Sequence, residues 1–593
     1  MTPIRQYRWS LPDERETHSP DHAELAGVSK FLADELNISP LHSSILDHRG
    51  IQTREQARAF FRPSLDDLHD PYLMDGMETA VSRIVRAIAS QERIMVYGDY
   101  DVDGTNGAAL LLTFLRGIGA RAEVHIPERL KEGYGVSTGG IDRAHKLGVS
   151  LLLTVDCGIT AVKQVEYAHS LGIETVICDH HEPGEQLPAA TAVLDPLKPG
   201  CRYPFKYLSG CGVGFKLIQA LSMHEAIQTR IGGATPEYLA PFLDLVALAT
   251  TADIVPLVGE NRTLVKLGLE IINTQPRPGI KALIESSGLK LGRLTAGQIV
   301  FMIAPRINAV GRLGDATRAV ELLISDNFDE AVQLARVFEE ENRARRKIDE
   351  NTFAEALQIV EQLLDFENEG AIILHQDQWH PGVIGIVASR LVERYYRPTI
   401  MMTTVDGVAK GSARSVAGFD IYQALKRCED KLLQFGGHKY AAGLSIDVNR
   451  IEEFKEAFSV VTRELLTDEL LTPVIHVDAE IDFADLTPKF IRILNQFAPF
   501  GPKNMRPVFA IRNAEPLGSP RIVGNNHLKF KVRKEGRVID AIGFNLGGLV
   551  DRLRPNGARV DLAFSIDEGD FAGETIPQLK IKDLKPSLVP SSL

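Results

Sequence analysis

Short, continuous apolar runs that each end in an acid recur through the first half of this chain, and that pattern leaves few folds open to it. Ile94 to Val96 leads into VYGDYDVDG, LLLTVDCG reaches Asp156, and VICDHHEP carries Asp179, His180 and His181 directly after its apolar residues. A fourth acid, Asp253 in LVALATTADIVP, follows an apolar stretch with a more helical pattern. Runs this short, alternating with helical stretches, are what strands of a parallel sheet buried on both faces look like. Such sheets bind ligands beyond the carboxyl ends of their strands, so acids placed there repeatedly converge on one edge.

The first acidic turn crowds Asp99, Asp101 and Asp103 onto alternate positions. Carboxylates that close repel one another by several kcal/mol in a partly buried site, and divalent cations relieve the repulsion. A calcium-binding EF-hand loop also begins D-x-D-x-D-G, but it needs an incoming helix and a bidentate Glu at its twelfth position. Here that position is Leu110 and the approach is strand-like. A solvated acidic turn is the simpler alternative for this motif alone, as a pair of core or capping histidines is for His180 and His181. Taken together, imidazole nitrogens and carboxylate oxygens suit Mn2+ or Mg2+. Two such ions about 3.5 to 4 Å apart, sharing a carboxylate, activate a water and stabilise in-line attack on phosphorus. Phosphoester or phosphoanhydride hydrolysis is the leading chemistry. Cys157, beside Asp156, reads as a small buried thiol rather than a nucleophile.

A chain of 593 residues exceeds what one hydrophobic core supports, and about three or four domains are expected. No stretch approaches a membrane span, the N-terminus lacks the apolar core of a signal peptide, and the five cysteines form no secreted framework, so a cytoplasmic protein without membrane contact is expected. The net charge of −12 does not exclude a nucleic-acid substrate, because bound cations invert the local field and affinity follows where basic residues cluster. One cluster, Arg343, Arg345, Arg346 and Lys347, lies in a helical pattern from Phe328 to Leu364, where the preceding acids allow a merely solvated face. That helix would span roughly 50 Å, enough to bridge two domains. A second α/β unit opens at Ala371, and FGGHKYAAG within it reads as a flexible loop. From Thr472 onward, short alternating strands predict a small β-barrel. Its HLKFKVR strand alternates Lys529, Lys531 and Arg533 with apolar residues, a face able to track a nucleic-acid backbone, with Phe530 inside or stacking.

In order, DYDVDG, VDCG, DHH and TADIVPL resemble the four motifs of the DHH phosphoesterases. RPSLDDLHDPYLMDGME, PERLKEGYG, PRINAVGRLGDA, HPGVIGIVASRL, GSARSVAGFD and FGGHKYAAG extend the likeness to the single-strand-specific exonucleases of that family, over nearly the whole chain. The resemblance implies an α/β protein: an N-terminal extension (1–75) on a parallel-sheet DHH domain (76–326), a connecting helix (327–365), a DHH-associated substrate domain (366–468) and an OB-fold barrel (469–593). It implies two cations, Mn2+ or Mg2+, with Asp101 on one, Asp103, His180 and Asp253 on the other, and Asp156 bridging. Asp99 and Asp179 would mainly orient ligands, and His181 would face the scissile phosphate. Arg129, Ser412 and Arg414 would hold a terminal 5′ phosphate, with Arg306, Asn308, His380, Gly436, Gly437 and His438 also contacting substrate. The implied activity is 5′ to 3′ hydrolysis of single-stranded DNA to 5′-mononucleotides in recombination and repair, with a helicase and a single-strand-binding protein as expected partners. Val102, Thr105 and Asn106 depart from the commoner motif without removing a ligand, and APFGPKNMRPVF lacks the family's second glycine before its Asn. A small-substrate DHH enzyme and a non-catalytic scaffold are the alternatives; the first lacks the flanking domains seen here, the second loses ligands.

Overall fold

The computed structural model describes residues 7–11, 31–129, 132–232, 236–363, 369–553, 559–571 and 574–587. The apolar runs form one wholly parallel sheet, in the order Arg121–His125, Arg93–Gly98, Val149–Val155, Glu174–Cys178, Ala192–Leu194. Its central strands are almost entirely buried because helices cover both faces. Helix Val102–Gly117 starts on the first acidic turn, and Gly104 lets it press on that turn: a Cβ there would lie 2.5 Å from the Asp99 backbone. Asp253 differs from the other acids in its support. It caps the C-terminal end of the buried helix Leu243–Ala252 rather than a strand.

Helix Phe328–Leu363 is a single unbroken element of 36 residues, about 54 Å long. Residues 364 and 365 of the expected connector lie outside the described residues. Ala331, Ala335 and Phe338 pack into the core of the parallel-sheet unit, whereas Ala356 and Val360 pack against Trp379, Ile384 and Leu391 of the next. Of its basic cluster, Arg345 is buried against Asn342, whereas Arg343, paired with Glu339 at 2.8 Å, and Arg346 and Lys347 are exposed.

The second α/β unit is a mixed five-stranded sheet. FGGHKYAAG is not the flexible loop expected: Gln434–His438 and Ala441–Asp447 form an antiparallel hairpin, the first strand lying at the sheet edge. The glycines were misleading because an edge strand tolerates them, and Gly437, at φ +140°, needs the freedom: a Cβ would collide with the Ala441 carbonyl.

In the C-terminal region, strands Phe509–Val523, His527–Lys534, Arg537–Gly543, Glu574–Pro586 and Val560–Phe571 close into a barrel, because the first also pairs with the last. The N-terminal segment packs against it. Strand Arg8–Ser10 pairs with Val474–His476, and helix Pro40–Asp47 lays Ile45 and Leu46 into the barrel core. His42 of that helix is fully buried, its Nε2 3.1 Å from the Phe490 carbonyl. Burial pulls its pKa from 6.5 to about 4, with that carbonyl opposing in part. The unfolded chain takes up the proton first, so the stability held by neutral His42 is complete above about pH 6.5 and lost as pH falls towards about 4. Between pH 7 and 5 the loss should be about 2 kcal/mol. His42→Asn should reduce the drop in melting temperature between those pH values; an unchanged drop would show that another group carries the acid sensitivity.

Candidate metal centre and phosphate pocket

The strand ends bring the predicted acids together at one edge of the parallel sheet. Asp99 follows Arg93–Gly98 and is buried. Asp101 is the N-cap of the next helix, accepting from the Gly104 amide at 3.0 Å. Asp103, inside the first turn, accepts from the amides of Gly210 at 2.6 Å and Cys211 at 3.0 Å, which open helix Gly210–Met223. Asp156 follows Val149–Val155 with φ +62°, a left-handed conformation that Asp tolerates better than most residues.

Two groups of ligand atoms, Asp103, His180 and Asp253, and beside them Asp99, Asp101 and Asp156, each lie within 4.8 Å of one another, and a third such set, Asp156, His180 and His181, overlaps both. His180 Nε2 stands 3.2 Å from Asp156 Oδ1 and 3.7 Å from both Asp103 Oδ2 and Asp253 Oδ2, so Asp156 faces both groups. Asp99, expected mainly to orient other ligands, lies among the potential ligands themselves. Among the described residues its buried Oδ1 and His180 Nε2 have no hydrogen-bond partner, as ligand atoms kept for a cation would be. Burial, and then Asp103, Asp101 and Asp253, hold the Asp156 carboxyl well above the usual range. Burial and neighbouring carboxylates raise Asp99 and Asp253 in the same way. The oxygen and nitrogen donor set and its repulsion fit two hard divalent cations.

Asp179 and His181 are different. Asp179 accepts from the Ile159 amide at 2.9 Å, the His180 amide at 2.8 Å and His181 Nδ1 at 2.7 Å. Burial alone would raise its pKa, but the bond and charge of His181 hold it below the usual range. For His181 burial pulls down, yet Asp179 pushes its pKa up to about 9. The other ring nitrogen of His181, Nε2, lies within hydrogen-bonding distance of the Tyr134 hydroxyl, at 3.1 Å. Cys157 is buried, and burial, then Asp179 and Asp99, lift its thiol far above the reactive range.

A cationic group lies where the parallel-sheet unit meets the second α/β unit. The Arg129 guanidinium is over the Tyr100 ring at 5.2 Å, and the Arg414 Nη1 donates to Ser412 Oγ at 2.9 Å. Arg312, not singled out from sequence, reaches across to the Gly382 carbonyl at 2.6 Å. Burial, followed by the charges of Arg129 and Arg345, pulls Arg312 down to about 10; burial and then Arg129 lower Arg414. Among the described residues neither Arg312 nor Arg414 pairs with a carboxylate. His380 is near Arg129 and accepts from the Gly382 amide at 3.0 Å. Arg306 is instead buried and engaged by Glu339 at 2.6 Å, and Asn308 is half-buried on the same helix. A signal for Arg312 existed in the preceding Gly311, where a Cβ would strike the Tyr100 carbonyl, setting that helix on the acidic turn.

On the barrel, Phe530 is only 5% exposed and lies inside, while Lys529 and Lys531 point outward. Arg533 is held by Glu515 at 2.8 Å. The outward aromatic of this face is Phe544, 46% exposed, with Lys580 over its ring at 5.1 Å and His527 at its edge. Gly436, Gly437 and His438 are exposed on their edge strand.

Comparison with known proteins matches residues 93–250 to the DHH family N-terminal domain, 368–464 to the DHHA1 domain and 477–583 to the RecJ OB domain. The single-stranded-DNA-specific exonuclease RecJ of Bacillus subtilis is 40% identical over 573 residues, 96% of this chain and 70% of that protein. RecJ of Escherichia coli is 36% identical over 93% of this chain and 96% of that one. The crystal structure of Thermus thermophilus RecJ in complex with Mn2+ superposes with a TM-score of 0.81 at 31% identity, covering 98% of this chain and 79% of that one, and the Mg2+ complex with 0.75 at 30%.

Proposed function

Since this chain belongs to the RecJ family, we propose that its two acidic groups and its arginine pocket form one exonuclease site that starts at a 5′ phosphate. The chain is a hydrolase, a metal-dependent exonuclease specific for single-stranded DNA, using Mn2+ or Mg2+. In this reading Asp103, His180 and Asp253 would hold one cation, Asp99 and Asp101 the other, with Asp156 placed to serve both. When bound, the cations would supply water activation and neutralise charge developing on the phosphoryl oxygens. Asp179 keeps His181 charged and oriented, and His181 donates to an oxygen of the scissile phosphate, with Tyr134 as its resting partner. Arg129, Arg312, Ser412 and Arg414 receive the terminal phosphate, whose second negative charge an internal diester lacks. His380, Asn308, Gly436, Gly437 and His438 line the substrate path.

The observation that carries this reading is the pair of arginines, Arg312 and Arg414, half-buried at the seam beside the acidic groups and, among the described residues, without a carboxylate partner. An anion fixed there sets how far along the strand the next diester meets the acids, so one 5′-mononucleotide leaves per cycle. Strands labelled at the 5′ or the 3′ end test it: labelled mononucleotide should appear at once from the first and only after full digestion from the second. The reverse order would refute the polarity.

The division of the chain at 75, 326, 365 and 468, a cytoplasmic location, a role in recombination and repair, and cooperation with a helicase and a single-strand-binding protein belong to the same proposal. Among the described residues no helix is long and apolar enough to cross a membrane. The barrel serves as the holding surface. The outward residues Lys529 and Phe544 give it a phosphate contact and a stacking ring, so replacing both by alanine should weaken binding of a long strand about ten-fold or more. Cleavage of a short oligonucleotide should stay within about two-fold. Equal affinity for the long strand at matched salt would exclude this face.

A further inference from the structure

Barrel loop 496–505 rests against the segment that carries Asp253 and the segment whose amides hold Asp103. The Leu257 amide, four residues after Asp253, donates to the Pro502 carbonyl at 2.8 Å, and a Cβ on Gly501 would meet Leu257 Cδ1 at 2.6 Å. Lys503 Nζ reaches the Tyr207 hydroxyl at 3.3 Å, and Tyr207 comes three residues before Gly210, whose amide holds Asp103. Asn261 joins the two segments, donating to the carbonyls of Tyr207 at 2.5 Å and Pro256 at 3.0 Å.

The loop is gripped from the other side. Arg262, buried in the first turn of helix Gly259–Thr274, donates to the carbonyls of Phe497 at 2.9 Å, Ala498 at 3.0 Å, Gln496 at 3.3 Å and Pro499 at 3.4 Å, and also to Phe60 at 3.1 Å. Within the loop, the Asn504 side chain donates to Phe497 and Pro499 carbonyls at 3.0 and 2.7 Å. Arg49 closes the ring by donating to Asn504 Oδ1 and to the Met505 carbonyl. The turn thus clamped is strained: Ile254, next to Asp253, is a β-branched residue at φ +61° with its side chain exposed. Such a conformation persists only where its surroundings impose it.

We propose that the barrel loop, drawn in by Arg262, sets the position of Asp253 and so the affinity of one of the two cation sites. Arg262 is then a positioning residue for a metal ligand it never touches. This rests on the two-cation reading above.

The test is a Mn2+ binding isotherm on the full-length chain for Arg262→Lys, which keeps the charge but loses the fork of contacts, and for Asn504→Ala, which loosens the loop from the barrel side. Asp253→Asn identifies the step that depends on Asp253, and Leu549→Ala in the barrel core controls for loss of stability alone. Both clasp variants should weaken that step about ten-fold and leave the other step unchanged, whereas Leu549→Ala should give the isotherm of the parent chain. Unchanged affinity in both, with lowered melting temperatures, would overturn the proposal. If Arg262→Lys does not fold, Asn504→Ala decides alone. No effect of Asp253→Asn would instead defeat the two-cation reading.

Discussion

Asp156→Ala should lower hydrolysis of single-stranded DNA by at least three orders of magnitude with saturating Mn2+, while the chain stays folded. Its carboxylate is the one that faces both ligand groups, so its removal disrupts both positions at once. The variant should also melt differently. In chelator, Asp156 is an acid pushed out of its usual range by burial and then by four other acids, so deleting it removes repulsion and the metal-free melting temperature should be equal or higher. Added Mn2+, which raises the melting temperature of the parent chain by binding the folded state, should raise that of the variant much less. Single-turnover rates and paired melts measure both. Retention of more than about a tenth of parental turnover would remove Asp156 from the bridging role.

Arg414→Ala should slow digestion of 5′-phosphorylated strands about ten- to a hundred-fold and of 5′-hydroxyl strands far less. A charge-assisted contact contributes roughly 1.5 to 3 kcal/mol, and here it exists only when the terminal phosphate does. Arg414 rests on Ser412 and on the carbonyl of Ala413, neutral partners that leave its charge available. Single-turnover digestion of both substrates separates the roles. A uniform loss on both would place Arg414 with the scissile diester or the fold.

The sheet and its acids were legible because burial on both faces writes continuous apolar runs, and because an acid after such a run has few structural reasons to be there. The barrel strands were legible through their alternation. Phe530 was readable only in part: alternation places it opposite the lysines, but only the closed barrel shows that opposite means inside, which leaves Phe544 as the outward ring. FGGHKYAAG was misread because composition does not distinguish a glycine-rich loop from a glycine-bearing edge strand. The departure at Lys503 was visible in sequence, its meaning was not. Lys503 adopts φ +57°, where glycine is favoured, and lies over the Tyr207 ring at 4.6 Å. Arg262 and Arg312 were missed for one reason: each acts on a segment far away in the chain, and no local pattern announces such a partner.

The 36-residue helix carries a constraint of phase. One end is fixed in the core beneath the acids and the other in the unit bearing Ser412 and Arg414. Each residue of an α-helix advances 1.5 Å and turns about 100°, so one inserted residue would swing the distant unit by more than a quarter of a circle while barely changing the span. Loops of this chain can vary in length at modest cost, but this helix can change only in whole turns, and then only if the register of both ends shifts with it.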